Sequence, residues 1–160
     1  MARPPTWLLA LVAATVIVGG GALAVSSGVF ADDSYEWTTV TVVDSDTDAE
    51  LATVDARIAD TPKKRFTGLS NTSSLGPNEG MLFIHGTEGQ QSYVMRGMSF
   101  PIDIVFINAD GEIMTIHHAD VDTYGPYPGT GKYVLELPHN YTTDNDIAVG
   151  DRVEIPAEYR

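Results

Sequence analysis

The stretch PIDIVFINADGEIMTIHH, Pro101–His118, decides how this chain is read. Ile102 to Asn108 is an apolar run too short for a globular helix and rich in Ile, Val and Phe, as strands are. Ala109-Asp110-Gly111 supplies the chemistry of a hairpin turn. Glu112 to His118 (EIMTIHH) returns as a second strand. Side chains alternate along a strand, so Ile102, Ile104 and Phe106 share one face while Asp103, Val105 and Ile107 share the other. Both faces are largely apolar, which puts Asp103 in or near a buried layer. A carboxylate there needs a cation or several hydrogen-bond donors.

Working outward, the same signals recur. Thr38 to Asp44 (TTVTVVD) and Glu50 to Ile58 (ELATVDARI) alternate apolar and polar residues, the period-two pattern of half-buried strands. Met81 to His85, Ser92 to Arg96, Lys132 to Leu137 and Arg152 to Ile155 are further short strands bounded by Gly, Pro or Asp. Asp60-Thr61-Pro62 predicts a helix N-cap with Pro in the first turn, and Gly68 ends that helix about two turns later. Residues 119–131 and the segment Ser70 to Gly80 read as Gly/Pro-rich and polar loops. About eight strands and one short helix predict a mainly β domain, a small antiparallel barrel or sandwich.

That domain is expected over residues 38–160, behind a tether at 32–37 and a hydrophobic segment within 1–31. Trp7 to Val25 (WLLALVAATVIVGGGALAV) has no charged residue and is about long enough to span a bilayer. Arg3 precedes it and Asp32, Asp33 and Glu36 follow, so a retained anchor would hold the domain outside the cell membrane. Val29-Phe30-Ala31 also offers the small residues of a signal-peptidase site, which would release a secreted domain beginning near Asp32. The sequons at Asn71 and Asn140 fall in polar segments that suit an external surface.

The chain has no cysteine, which excludes disulfides, thiolate metal sites and a cysteine nucleophile. With 22 acidic against 9 basic residues its formal net charge is −13, a surface that repels nucleic acid. The acids are spread along the chain, the pattern of a domain kept soluble in concentrated salt. Asp44, Asp46 and Asp48 imitate the start of a calcium loop, but Ala49 and Asp55 stand where Gly and Glu belong. His85, His117 and His118 lack zinc-site spacing, and Met81, Met95, Met98 and Met114 are read as core filler before a copper site. Neither a metal nor a cofactor is expected.

The blocks TPKKRFTGLS, EGMLFIH, YVMRGMSFPIDIVFINADGEI, YVLEL and VGDRV follow one another in a recognisable order. From about Val54 to Ile155 the chain resembles the family numbered 192 among the domains of unknown function. The resemblance implies a small, mostly β domain behind a signal or membrane segment, and it brings no established reaction. Many members carry Trp-Met-Lys-Asn-Thr where this chain has Val94-Met95-Arg96-Gly97-Met98. The cation is kept here, while the amide and hydroxyl are lost.

Two readings of the charged pair remain open. Arg96 and Asp103 form an ion pair that fixes a strand crossing, or Arg96 faces a ligand and grips a carboxylate or phosphate. The aromatic loop YGPYPGTGKY, Tyr124–Tyr133, adds recognition-type side chains. The function expected is therefore a non-enzymatic, membrane-tethered domain that binds an extracytoplasmic ligand or protein. Its site residues would be Arg96, Asp103, Tyr93, Tyr127 and Tyr133. The alternative is a hydrolase using Asp103 with His117 or His118, and it requires the acid and the imidazole in one cleft.

Overall fold

A computed structural model describes residues 34–160. The anchor or signal expected over residues 1–31 lies outside the described residues, among which no helix is long and apolar enough to cross a membrane. Seven strands build one sheet: β1 (Trp37–Val43), β2 (Glu50–Ala59), β3 (Glu79–Tyr93), β4 (Ile102–Ile107), β5 (Ile113–Ala119), β6 (Tyr127–Pro138) and β7 (Arg152–Glu154). Their order is β5-β4-β6-β3-β2-β1-β7. Neighbours are antiparallel except β2 and β3, which run parallel and are joined by a crossover carrying helix α1 (Pro62–Thr67).

The sheet curls until its ends approach. A bridge joins Glu112 to Arg152, the Ile113 amide donates to the Asp151 carbonyl at 2.8 Å, and the Val153 amide donates to the Gly111 carbonyl at 2.7 Å. One hydrophobic cluster draws on every strand, including Val40, Ile58, Leu82, Val105, Ile113, Tyr133 and Val153. A second lies on the other face and includes Leu69, Met81, Phe83, Ile104, Phe106 and Val134. The sheet's middle is therefore covered on both sides. That is why all six residues of β4 are buried and its sequence reads as a continuous apolar run.

Local chemistry follows the sequence closely at α1. The Thr61 hydroxyl accepts from the Lys64 amide at 3.2 Å, Pro62 opens the helix, and the Gly68 amide closes it on the Lys64 carbonyl at 2.8 Å. The β4–β5 turn is held by the Asn108 side chain, which accepts from the amides of Asp110 and Glu112. Asp44 opens the acidic turn by accepting from the amides of Asp46 and Thr47 and from the Thr47 hydroxyl. These bonds hold its carboxyl below the usual range, the Thr47 hydroxyl foremost. The calcium-like spacing is an Asx turn.

Three expectations need correction. The strands expected at Met81 to His85 and Ser92 to Arg96 belong to one strand, β3, which pairs with β6 on both sides of a break between Ile84 and Gly89 and ends at Tyr93, leaving Val94 to Arg96 outside it. Strand β6 begins at Tyr127, inside the segment read as a loop. Its glycines serve close packing: a Cβ at Gly129 would overlap the Phe106 ring, and one at Gly131 would lie 2.7 Å from the Ile107 carbonyl oxygen. A second helix, α2 (Tyr141–Asp144), occupies the polar segment around the Asn140 sequon. Asn140 is exposed there, but Tyr141 and Thr142 are buried.

Candidate functional site

Asp103 is fully buried, as the pattern of β4 required, but its partners are not cations of the preceding loop. Its carboxylate accepts from the Asn140 amide at 3.0 Å, the Thr142 amide at 2.9 Å and the Thr142 hydroxyl at 2.7 Å. It also accepts from His118 Nδ1 at 2.7 Å, with His139 Nδ1 further off at 3.9 Å. Asn140 precedes α2 and makes no side-chain cap of its own, so Asp103 reaches over from β4 and caps that helix.

Arg96 lies elsewhere. Its guanidinium stacks 3.9 Å from the centre of the Phe66 ring and donates to the Phe66 carbonyl, while the Arg96 carbonyl accepts from the Ser70 hydroxyl at 2.8 Å. The ion pair between Arg96 and Asp103 is absent. Carboxylate and guanidinium had no need of each other, because α2 supplies amides and a hydroxyl that the sequence did not advertise.

Arg96 instead helps line an open cleft of about 280 Å³. One wall is α1 and the turn after it, with Arg65, Phe66, Leu69 and Ser70. The opposite wall is β3 and the segment beyond it, with Phe83, His85, Tyr93, Val94 and Met98. Glu136 of β6 completes the lining. Strand β6 runs between β4 and β3, and the register sets Glu136 beside Ile104 on one side and Met81 on the other. Its residue surface is only 6% exposed, and that burial pushes the carboxyl up to about 8. Among the described residues nothing hydrogen-bonds this carboxyl.

Around it the polar groups are held in fixed positions. The Tyr93 hydroxyl lies 3.0 Å from His85 Nε2, and the Tyr93 ring packs edge-on between Phe83 and Phe106. Burial raises the Tyr93 phenol, with Glu136 adding to the effect and Arg65 opposing it. Burial, followed by the Arg65 charge, lowers His85 and keeps its imidazole neutral at pH 7. Arg65 itself donates to the Asp60 carbonyl at 2.7 Å and the Ile84 carbonyl at 2.8 Å, clipping the start of the crossover to β3. At the mouth, Phe66 is 71% exposed.

The other expected site residues are dispersed. Tyr133 is wholly buried in the inner cluster, its hydroxyl donating to the Tyr159 carbonyl at 3.1 Å. Tyr127 packs on His117 and donates to the Thr123 carbonyl at 2.9 Å. His117 faces away from Asp103, with Nε2 placed 2.7 Å from the Pro128 carbonyl. Of the residues expected to form one site, only Arg96 and Tyr93 meet in the cleft. The sequence reading overlooked Glu136, Arg65 and Phe66. Glu136 had a signal: it follows Val134 on the face of KYVLEL opposite Tyr133, Leu135 and Leu137.

A model of the family described as uncharacterised ACR, the domain of unknown function numbered 192, matches residues 42–155. No curated protein matches the chain. Among solved structures, the chain is similar to a protein of unknown function from Novosphingobium aromaticivorans DSM 12444. The two are 28% identical, with a TM-score of 0.71 over 78% of this chain and 89% of that one. A candidate transcription regulator from Sinorhizobium meliloti 1021 is also 28% identical, with a TM-score of 0.68 over 76% of this chain and 95% of that one.

Proposed function

The chain belongs to the uncharacterised domain family 192, and on that premise we propose a membrane-tethered, extracytoplasmic module that binds its ligand in the cleft between α1 and β3 without transforming it. The observation that carries this reading is Glu136, a carboxyl buried at the lining of an open cleft with no hydrogen-bond partner of its own. Its oxygens are not sealed from solvent, so the hydrogen-bonding capacity left open faces the cleft. Such a group at a concave site, framed by fixed polar side chains and an exposed aromatic, is what a ligand completes.

The test uses the full chain in cells, with a photoreactive amino acid at Val94 in the cleft lining or at exposed Val149 outside it. A defined adduct from position 94 and none from position 149 is expected. Equal labelling from both positions, or none from position 94, removes the cleft as the binding site.

The tether rests on the uncharged run from Trp7 to Val25. The protein should remain with membranes after a high-salt wash and keep its original N-terminus. A soluble product beginning at Asp32 would establish cleavage instead.

The hydrolase alternative retains one favourable observation, the 2.7 Å contact that orients His118 against Asp103. Neither residue lines the cleft described, and the nearby Thr142 hydroxyl donates to Asp103. Turnover of any ester or amide that disappears in His118→Ala while the fold persists would revive it.

A further inference from the structure

The charge inventory of the cleft identifies the class of ligand. Cations are scarce in this chain, and several are matched: Arg57 with Glu79, Lys64 with Asp60, and Arg152 with Asp48. Arg65 and Arg96, the two that line the cleft, have carbonyls and a ring as partners but no carboxylate among the described residues. In so acidic a protein, two guanidiniums left without acids at one cavity are an electrostatic invitation to an anion. Phe66, Leu69, Phe83 and Met98 supply apolar wall, and the volume suits a small molecule.

Resting on the binding reading above, we propose that the cleft takes a small organic acid: a carboxylate on an apolar or aromatic body, the anion between Arg96 and Arg65 and hydrogen-bonded by Glu136. The role of Glu136 follows from its protonation. Neutral at pH 7, it presents an O–H donor to the bound carboxylate and leaves both arginine charges unopposed. Once ionised it repels the same ligand. The charged and titratable groups facing it are Arg65 from α1, His85 and Tyr93 from β3, and Arg96 beyond β3. His85 is neutral at pH 7 and the Tyr93 phenol remains protonated, so Glu136 is the group in this set that changes charge near pH 8.

The experiment is a ligand-observed NMR titration of the purified full chain with benzoate, benzamide and benzylamine. These share one apolar body and differ in charge. Benzoate should bind at least about tenfold more tightly than either analogue near neutral pH. Its affinity should hold up to about pH 8 and then fall about tenfold per pH unit as Glu136 ionises. Arg96→Met should weaken benzoate about tenfold or more. Glu136→Gln, which keeps a neutral donor, should bind benzoate with no fall above pH 8. Failure of benzoate to outbind both analogues, or an unchanged pH profile in Glu136→Gln, overturns the proposal. A position-94 adduct together with loss of the benzoate preference would discard the ligand class and leave the binding reading standing.

Discussion

Two buried carboxyls on adjacent strands of this sheet have opposite circumstances. Asp103 pairs with Leu137 in the β4–β6 register, and Glu136, the next position on β6, pairs with Ile104. They point to opposite faces, Asp103 toward α2 and Glu136 toward the cleft. Asp103 is bonded by two amides, a hydroxyl and an imidazole, whereas Glu136 has no such partner. Burial alone therefore says little about function. What separates a structural acid from a site acid is whether the fold itself has met its hydrogen-bonding capacity.

The largest effect that can break this contrast is at Asp103. Asp103→Ala strands the donors at the start of α2 and should lower stability by about 3–5 kcal/mol in urea unfolding. A loss below about 1 kcal/mol would erase the distinction between the two acids. The pH dependence of stability sharpens it from the other side. The Glu136 carboxyl titrates near 8 when folded, against 4.5 as its ordinary value, so between those values the folded state holds a proton that the unfolded state has released. Glu136 is then compatible with folding at low pH and increasingly unfavourable as pH rises, by about 1.4 kcal/mol per unit across that window. Unfolding of the wild type and Glu136→Gln at a series of pH values isolates this slope. Equal slopes in the two proteins would show that Glu136 is not the group responsible.

Smaller again is Glu136→Leu, which exchanges a near-buried carboxyl for an apolar side chain. Well below pH 4.5, where that carboxyl is protonated folded or unfolded, it should stabilise by about 1–2 kcal/mol, and at pH 7 it should abolish benzoate binding. Destabilisation would mean that the carboxyl has a structural partner after all. Least of all, Arg96→Met should change stability by less than about 1 kcal/mol, the scale of an exposed cation–ring contact. Combined with Asp103→Ala it should be additive, because the two residues share no partner. A coupling energy above about 1 kcal/mol would restore the ion pair.

These residues also show where sequence reasoning succeeds. Alternation placed Asp103 on the face with Val105 and Ile107, and the cap of α1 was legible because Thr61, Pro62 and Gly68 act within one turn of chain. The partners of Asp103 were not legible: Asn140 and Thr142 lie far along the chain, and the helix that offers them has only four residues and no periodic pattern. The extent of β6 was misjudged for a different reason. Gly129 and Gly131 carry the composition of a turn, yet they are small because Phe106 and Ile107 lie against them. The cleft was half visible. Arg96 and Tyr93 stood out as polar residues in an apolar block, but the floor at Glu136 emerges only when β6 is set between β3 and β4.

The contact between Glu112 and Arg152 has a consequence for how copies of this domain behave when crowded together. An open sheet would offer two full-length edges on which a neighbour's strand could grow. Here β7 covers β1 only from Thr41 to Val43, and the bridge reaches β5 only at its start. Among the described strands, the outer sides of Trp37–Val40 and Met114–Ala119 are left unpaired. Both are short, and the second carries His117 and His118 and is followed by Asp120, polar groups that discourage stacking. A strand added to either remnant finds only a handful of backbone bonds before the curl turns away. Either remnant thus gives a neighbouring copy little edge on which to pair.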